Sequence, residues 1–131
     1  MPFRTEKLIT RSMMQSEPET LFVFGDNMRG TGRGGQASIM RGEPNAVGIP
    51  TKWIPTMAEA AFFTDDDLDT VRPTILARFD RLRKHLREGG DVVWPADGIG
   101  TGRAELKWRA PRIWSLIESM REHLEKVKGP E

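Results

Sequence analysis

Asp26 and Asn27 stand at the head of five glycines, Gly25, Gly30, Gly32, Gly34 and Gly35, with Arg33 and Gln36 set among and after them. A carboxylate can orient water or a ribose hydroxyl. An amide offers both a donor and an acceptor. Glycines admit positive φ and let bare backbone N–H groups approach an anion, most often a phosphate. A second set follows much later: Asp97, Gly98, Ile99, Gly100, Thr101, Gly102 and Arg103. Asp97 could act as a general base or cap the next turn, and Thr101 could offer its hydroxyl to a phosphate. Thr51, after Ile49-Pro50, completes the candidate ligand contacts. The catalytic candidates are Asp26, Asn27 and Asp97. Asn27 also reads as a plain turn residue, since asparagine suits positive φ after a strand.

The elements that must position these residues follow from the pattern. Leu21 to Phe24 is a short apolar run with the length of a buried strand. A helix is expected from about Gly34 to Arg41, a second strand over Ala46 to Thr51, and a loop over Lys52 to Thr56. Pro73 is expected near the first turn of a long helix whose buried face carries Ile75, Leu76, Phe79, Leu82 and Leu86. Gly89-Gly90 ends it. Val92 to Trp94 is a third strand, and a last helix from Ala110-Pro111 buries Ile113, Leu116, Ile117, Met120 and Leu124. Residues 1–20 show no clear period; Phe3, Leu8 and Ile9 could form an edge strand. Strands alternating with helices predict a layered α/β domain with a mostly parallel sheet. Both glycine turns fall after strands, where such sheets bind ligands. Two anion-binding turns on one rim suit a diphosphate.

The chain has 131 residues, read as one domain, with no cysteine, a formal charge of +1 and 30% charged residues. No thiolate chemistry or disulfide is available, which suits a cytoplasmic location. No apolar run approaches the roughly 20 residues of a membrane span, and no membrane partner is expected. The charge balance argues against dedicated nucleic-acid binding while leaving room for a local basic patch. Nothing in the sequence specifies an oligomer.

Other motifs give way to plainer readings. Gly30 to Gly35 satisfies G-x-G-x-x-G, but the next strand ends in Pro50-Thr51-Lys52 without the ribose-binding acid of a dinucleotide fold. A phosphate-binding Walker loop lacks its Lys-Ser or Lys-Thr. Asp65, Asp66, Asp67 and Asp69 suit a helix N-terminus better than a metal, because the calcium-loop spacing is absent. No metal and no cofactor is expected. His85 and His123 read as surface residues, Trp108 and Trp114 as packing residues, and Trp53 either as a loop anchor in the core or as a ring that stacks on a base or closes the cleft.

LFVFGDNMRGTGRGGQAS, then VGIPT, then DGIGTGRAELKW, together resemble a macrodomain. The likeness is greatest to small phage and bacterial macro-like proteins and to the branch of the DNA ADP-ribosyl glycohydrolases. It covers roughly Leu21 to Thr51 and Val92 to Leu116. The resemblance implies a three-layer α/β/α fold with a mostly parallel mixed sheet, and ADP-ribose, or an ADP-ribosylated macromolecule, as ligand. Asn27 would contact the distal ribose, Gly30, Gly35 and Ala37 would fill small-residue positions, and Gly98 to Gly102 would wrap the diphosphate. Hydrolysis of the ADP-ribosyl linkage is then one expectation; a non-catalytic reader of a nucleotide-derived signal is the alternative, and a nucleic-acid or protein-interaction module a third. The chain departs from that branch in three places. Gly34 stands where it carries a lysine, Ala104 beside Glu105 stands where a related branch carries a carboxylate, and the adenine-contacting aspartate has no counterpart.

Overall fold

The structure is a computed structural model and describes residues 2–102 and 104–130. Its sheet has four strands, β1 (Phe3–Glu6), β2 (Thr20–Asn27), β3 (Ala46–Lys52) and β4 (Asp91–Pro95), in the order β1-β4-β2-β3. All three strand pairings are parallel. The sheet is therefore parallel and not the mixed sheet expected; the antiparallel pairing found among the described residues is an isolated bridge outside the sheet's pairings, Lys52 with Phe62.

Alternation along the strands sorts side chains to two faces. Leu21, Val23, Val47, Ile49, Val92 and Trp94 pack against α3 (Leu68–Arg87) and α5 (Pro111–Glu125). Phe22, Phe24 and Val93 meet Met14 of α1 (Arg11–Ser16) and Ala37 and Met40 of α2 (Ala37–Met40) on the other. Helices on both faces of a parallel sheet make three layers. Among the described residues no helix is long and apolar enough to cross a membrane.

Several boundaries differ from the sequence pattern. α1 was unread: Thr10 Oγ1 accepts a hydrogen bond from Met13 N at 3.0 Å, capping a helix too short to show a period. Leu8, proposed for an edge strand, is 74% exposed and lies outside β1. The helix expected over Gly34 to Arg41 is reduced to one turn, because positive φ at Gly32 and Gly35 keeps the chain out of helix until Ala37. α3 starts before the region expected: Asp67 closes a capping box with Thr64 and Leu68 follows. Pro73 therefore sits inside the helix, at an exposed position, and has no N–H to donate to the carbonyl of Asp69, also exposed. A further turn, α4 (Leu106–Arg109), precedes α5. His85 is not a free surface residue; its Nε2 lies 2.9 Å from the Glu19 carbonyl and ties α3 to the approach to β2.

Candidate functional site

The first glycine loop begins where β2 ends and is organised by its own side chains. Asn27 is buried; its Oδ1 accepts from Gly30 N at 3.0 Å and Thr31 N at 3.5 Å, while Nδ2 donates to the Thr31 carbonyl at 2.8 Å. Both ends of the amide thus hold the loop, the geometry of an asparagine turn. Asp26 Oδ1 accepts from Asn27 N at 2.8 Å and pairs with Arg41.

Arg41 is the residue that sequence reasoning missed. Its Nε donates to the Gly32 carbonyl at 2.6 Å, Nη1 to Gly30 O at 2.7 Å and Nη2 to Thr31 O at 3.1 Å. The remaining two donations go to the Asp26 carboxylate, from Nη1 and Nη2. All five N–H groups of the guanidinium are used, and its Cζ lies 5.5 Å from the Phe24 ring centroid. The loop is wrapped with three carbonyls inward around one cation. Gly48, on β3, leaves room for this: a Cβ there would stand 2.5 Å from Asp26 Oδ2. The only sequence trace was an arginine shortly after a glycine loop, too general to read.

The second loop follows β4. Gly98 and Gly100 have positive φ, Ile99 is a buried plug, and Thr101 Oγ1 donates to the Asp97 carbonyl at 2.9 Å. Gln36 joins the two loops: its Oε1 accepts from Gly25 N at 2.9 Å and its Nε2 donates to Gly98 O at 3.2 Å. Thr51, from β3, donates to the Asp26 carbonyl at 3.1 Å. A Cβ on Gly25 would lie within 3.6 Å of Ile99, Gly100 and Thr51 together. The structure therefore brings Gly25, Gln36, Thr51, Gly98, Ile99 and Gly100 to one junction. Asp97 is exposed and has no hydrogen-bond partner for its carboxylate among the described residues. Arg33 and Gly34 lie exposed on the outer turn of the first loop, and Thr101 and Gly102 on that of the second. Arg103 lies outside the described residues.

What the rim offers a ligand is backbone. The N–H groups of Gly32, Arg33, Gly34, Gly35 and Gln36 have no acceptor among the described residues, nor do those of Gly100 and Thr101. One-turn α2 contributes little macrodipole, so the expected helix N-terminus is replaced by the loop's own N–H groups as donors.

Beside the rim, Arg109 closes the loop that follows β3. It donates to both oxygens of Glu59, at 2.8 and 3.1 Å, and to Glu105 at 2.8 Å. The guanidinium lies 3.7 Å from the Phe62 centroid and 4.6 Å from that of Trp108. Glu105 takes φ 49°, a left-handed backbone. Trp108 is 68% exposed rather than a core residue, since its ring covers Arg109 instead of entering the sheet interface. Trp53 is a loop anchor: its ring meets Phe63 edge-on at 5.1 Å and its Nε1 donates to Asp67 at 3.3 Å. Asp65 accepts from Arg112 N, so these acids serve helix starts.

Hydrogen bonding from Arg109 holds the Glu59 carboxyl below its ordinary value, and the same contact raises Arg109. A depressed carboxyl stabilises the closed loop fully above the ordinary carboxylate range, about pH 4.3, and the contribution is lost as pH falls through the lowered folded value. An NMR titration of the Glu59 carboxyl is expected to show a midpoint below that range, moving back to it in Arg109→Gln. An ordinary midpoint in the unmodified protein would mean that the pair does not persist in solution.

A family model matches residues 4–120, nearly all of the chain; the family is described as one of unknown function, DUF7831. No curated protein and no solved structure matches the chain.

Proposed function

We propose, for a chain that belongs to the DUF7831 family, that the rim formed by the two glycine loops binds ADP-ribose or an ADP-ribosylated group. The observation that carries this reading is Gln36, whose side chain fastens Gly25 to Gly98 and so draws together two loops whose N–H groups lack acceptors among the described residues. A diphosphate needs several donors at two nearby points, and neutral backbone donors accept it without requiring net positive charge. The macrodomain-like order of motifs in the sequence supports the same ligand.

Binding without hydrolysis fits the side chains better than turnover. Asn27 and Asp26 are engaged with the loop and with Arg41, so neither presents an unoccupied group to a water. Asp97 is the remaining candidate base, and no neighbour among the described residues orients it. A hydrolytic reading rests on that residue, and Asp97→Asn would abolish release of ADP-ribose from an ADP-ribosylated substrate if it held.

Calorimetric titration tests the ligand, with AMP, ADP and NAD as controls. ADP-ribose is expected to bind at least about tenfold more tightly than AMP. Gly102→Glu is the variant of choice, because a Cβ there meets nothing within 4 Å and the backbone has ordinary φ. The added carboxylate is expected to weaken ADP-ribose binding about tenfold by repulsion of the diphosphate. Equal affinity for all four compounds, or indifference to Gly102→Glu, would overturn the assignment.

A further inference from the structure

β3 is an edge strand, and its free edge is not bare. Phe22 N donates to Asn45 O at 2.8 Å, so in a parallel ladder the odd residues of β3 bond to β2 and the even ones face away. Ala46, Gly48 and Pro50 thus direct their backbone groups outward, and Pro50 has no N–H to offer there. Along this edge runs a cavity of about 210 Å³, between the turn after α2 and the flank of α3.

The charges around it do not cancel locally. Arg78 and Arg81, one turn apart on α3, line one side. On the other side, Arg33 extends past the glycine loop, with Nη2 3.9 Å from where a Cβ on Gly42 would stand; Gly42 itself lines the cavity. None of these three arginines has an ion-pair or hydrogen-bond partner among the described residues. Two acids, Asp26 and Glu43, also line the cavity, beside Arg41, and each is already paired. Asp26 is held by Arg41. Glu43 accepts from Gln15 at 2.9 Å and lies 3.9 Å from Arg11, both on the α1 side. The Gly48 N–H, on the outward edge, adds a neutral donor.

We propose that this groove is a binding site for a phosphate group. Unpaired guanidinium forks match the oxygens of a phosphate in geometry as well as charge. The volume decides how much of the ligand enters. Whole small molecules occupy pockets of roughly 300–1,000 Å³, so this groove takes the phosphate alone and leaves its bearer outside. The bearer is either a phosphomonoester, as on a free nucleotide, or the phosphodiester backbone of a nucleic acid. The cavity is lined by the Asp26–Arg41 pair and not by the Gln36 junction of the two glycine loops, and the proposal stands whether or not that rim binds ADP-ribose.

The test is an NMR titration of the ¹⁵N-labelled protein at low salt with inorganic phosphate, reading the Gly48 amide and the arginine Nε–H signals. Phosphate is expected to shift Gly48, Arg78 and Arg81 along one saturating curve. Arg78→Gln with Arg81→Gln is expected to weaken that curve about tenfold or more. Both side chains are exposed, so the double variant should keep its fold, which the unchanged remainder of the spectrum verifies. Two further arms identify the bearer. Tighter binding of a short single-stranded oligonucleotide without a terminal phosphate, falling with salt, assigns the phosphodiester. Binding of a nucleoside 5′-monophosphate with no response to that oligonucleotide assigns the monoester. Shifts spread evenly over all arginines, no shift at Gly48, or an unchanged curve in the double variant would overturn the proposal.

Discussion

Arg41→Met is expected to lower the stability of the protein by about 3 kcal/mol, near the lower end of the cost of breaking a buried ion pair. The methionine keeps much of the aliphatic volume over Phe24 and removes every polar contact. Three carbonyls of the glycine loop then lose their donor, and the Asp26 carboxylate, only 14% exposed, is left without a cation. Urea unfolding should show a lower midpoint with an unchanged slope. Hydrogen exchange should show the Gly30 and Thr31 amides opening far faster than those of β2. Arg41→Lys restores the charge without the planar fork, and should recover less than half of the loss. A change within about 0.5 kcal/mol, the level of an ordinary surface substitution, would mean that the loop is held by something other than this guanidinium.

Gly48→Ala tests the same assembly from the opposite side. Local preference points the other way, since alanine in a strand interior costs less than glycine. Here its Cβ would meet Asp26 Oδ2 at 2.5 Å, Cβ at 2.8 Å and Cγ at 3.0 Å. The Asp26 Cβ cannot swing aside without moving β2, so the substitution is expected to cost about 2 kcal/mol, typical of overpacking. The two sites share Asp26 and should couple. In an Arg41→Met background the carboxylate has less to lose by moving, and the cost of Gly48→Ala should fall by at least about 0.5 kcal/mol. Strict additivity would show that the alanine is resisted by the strand backbone and not by the aspartate.

Where the determinants are local, the sequence was legible. The strands around Phe22, Val47 and Val93 show as apolar runs, and α3 and α5 show as stripes of Ile75, Phe79 and Leu82 and of Ile113 and Ile117. The glycine turns showed because positive φ at Gly30, Gly32, Gly98 and Gly100 is a demand met within a few residues. Residues whose roles depend on distant partners were not legible. Gln36 was named as a ligand contact, yet its acceptor in the second loop is 62 positions away. Asn45 went unremarked, although its Nδ2 lies 3.0 Å from the carbonyls of Met14, Glu17 and Thr20 and seats α1 against the sheet. Arg41 and Gly48 each acquire meaning only once β2 and β3 are paired. α1 and α4 escaped for a different reason: one or two turns carry too few residues for a period to emerge.

The position of β4 governs the order in which the chain can assemble. β4 lies between β1 and β2, so residues 3–6 pair with residues 92–95 across most of the sequence. A nascent chain can join β2 to β3 early, but β1 cannot pair with β4, its partner among the described residues, until β4 has left the ribosome. This pairing of β1 must therefore wait for most of the chain, and sheet closure is a long-range event that meets its loop-closure entropy before its contacts form. During synthesis the nascent sheet exposes the β2 edge that β4 will fill, and that interval is when the protein is most open to capture by chaperones or by its own copies.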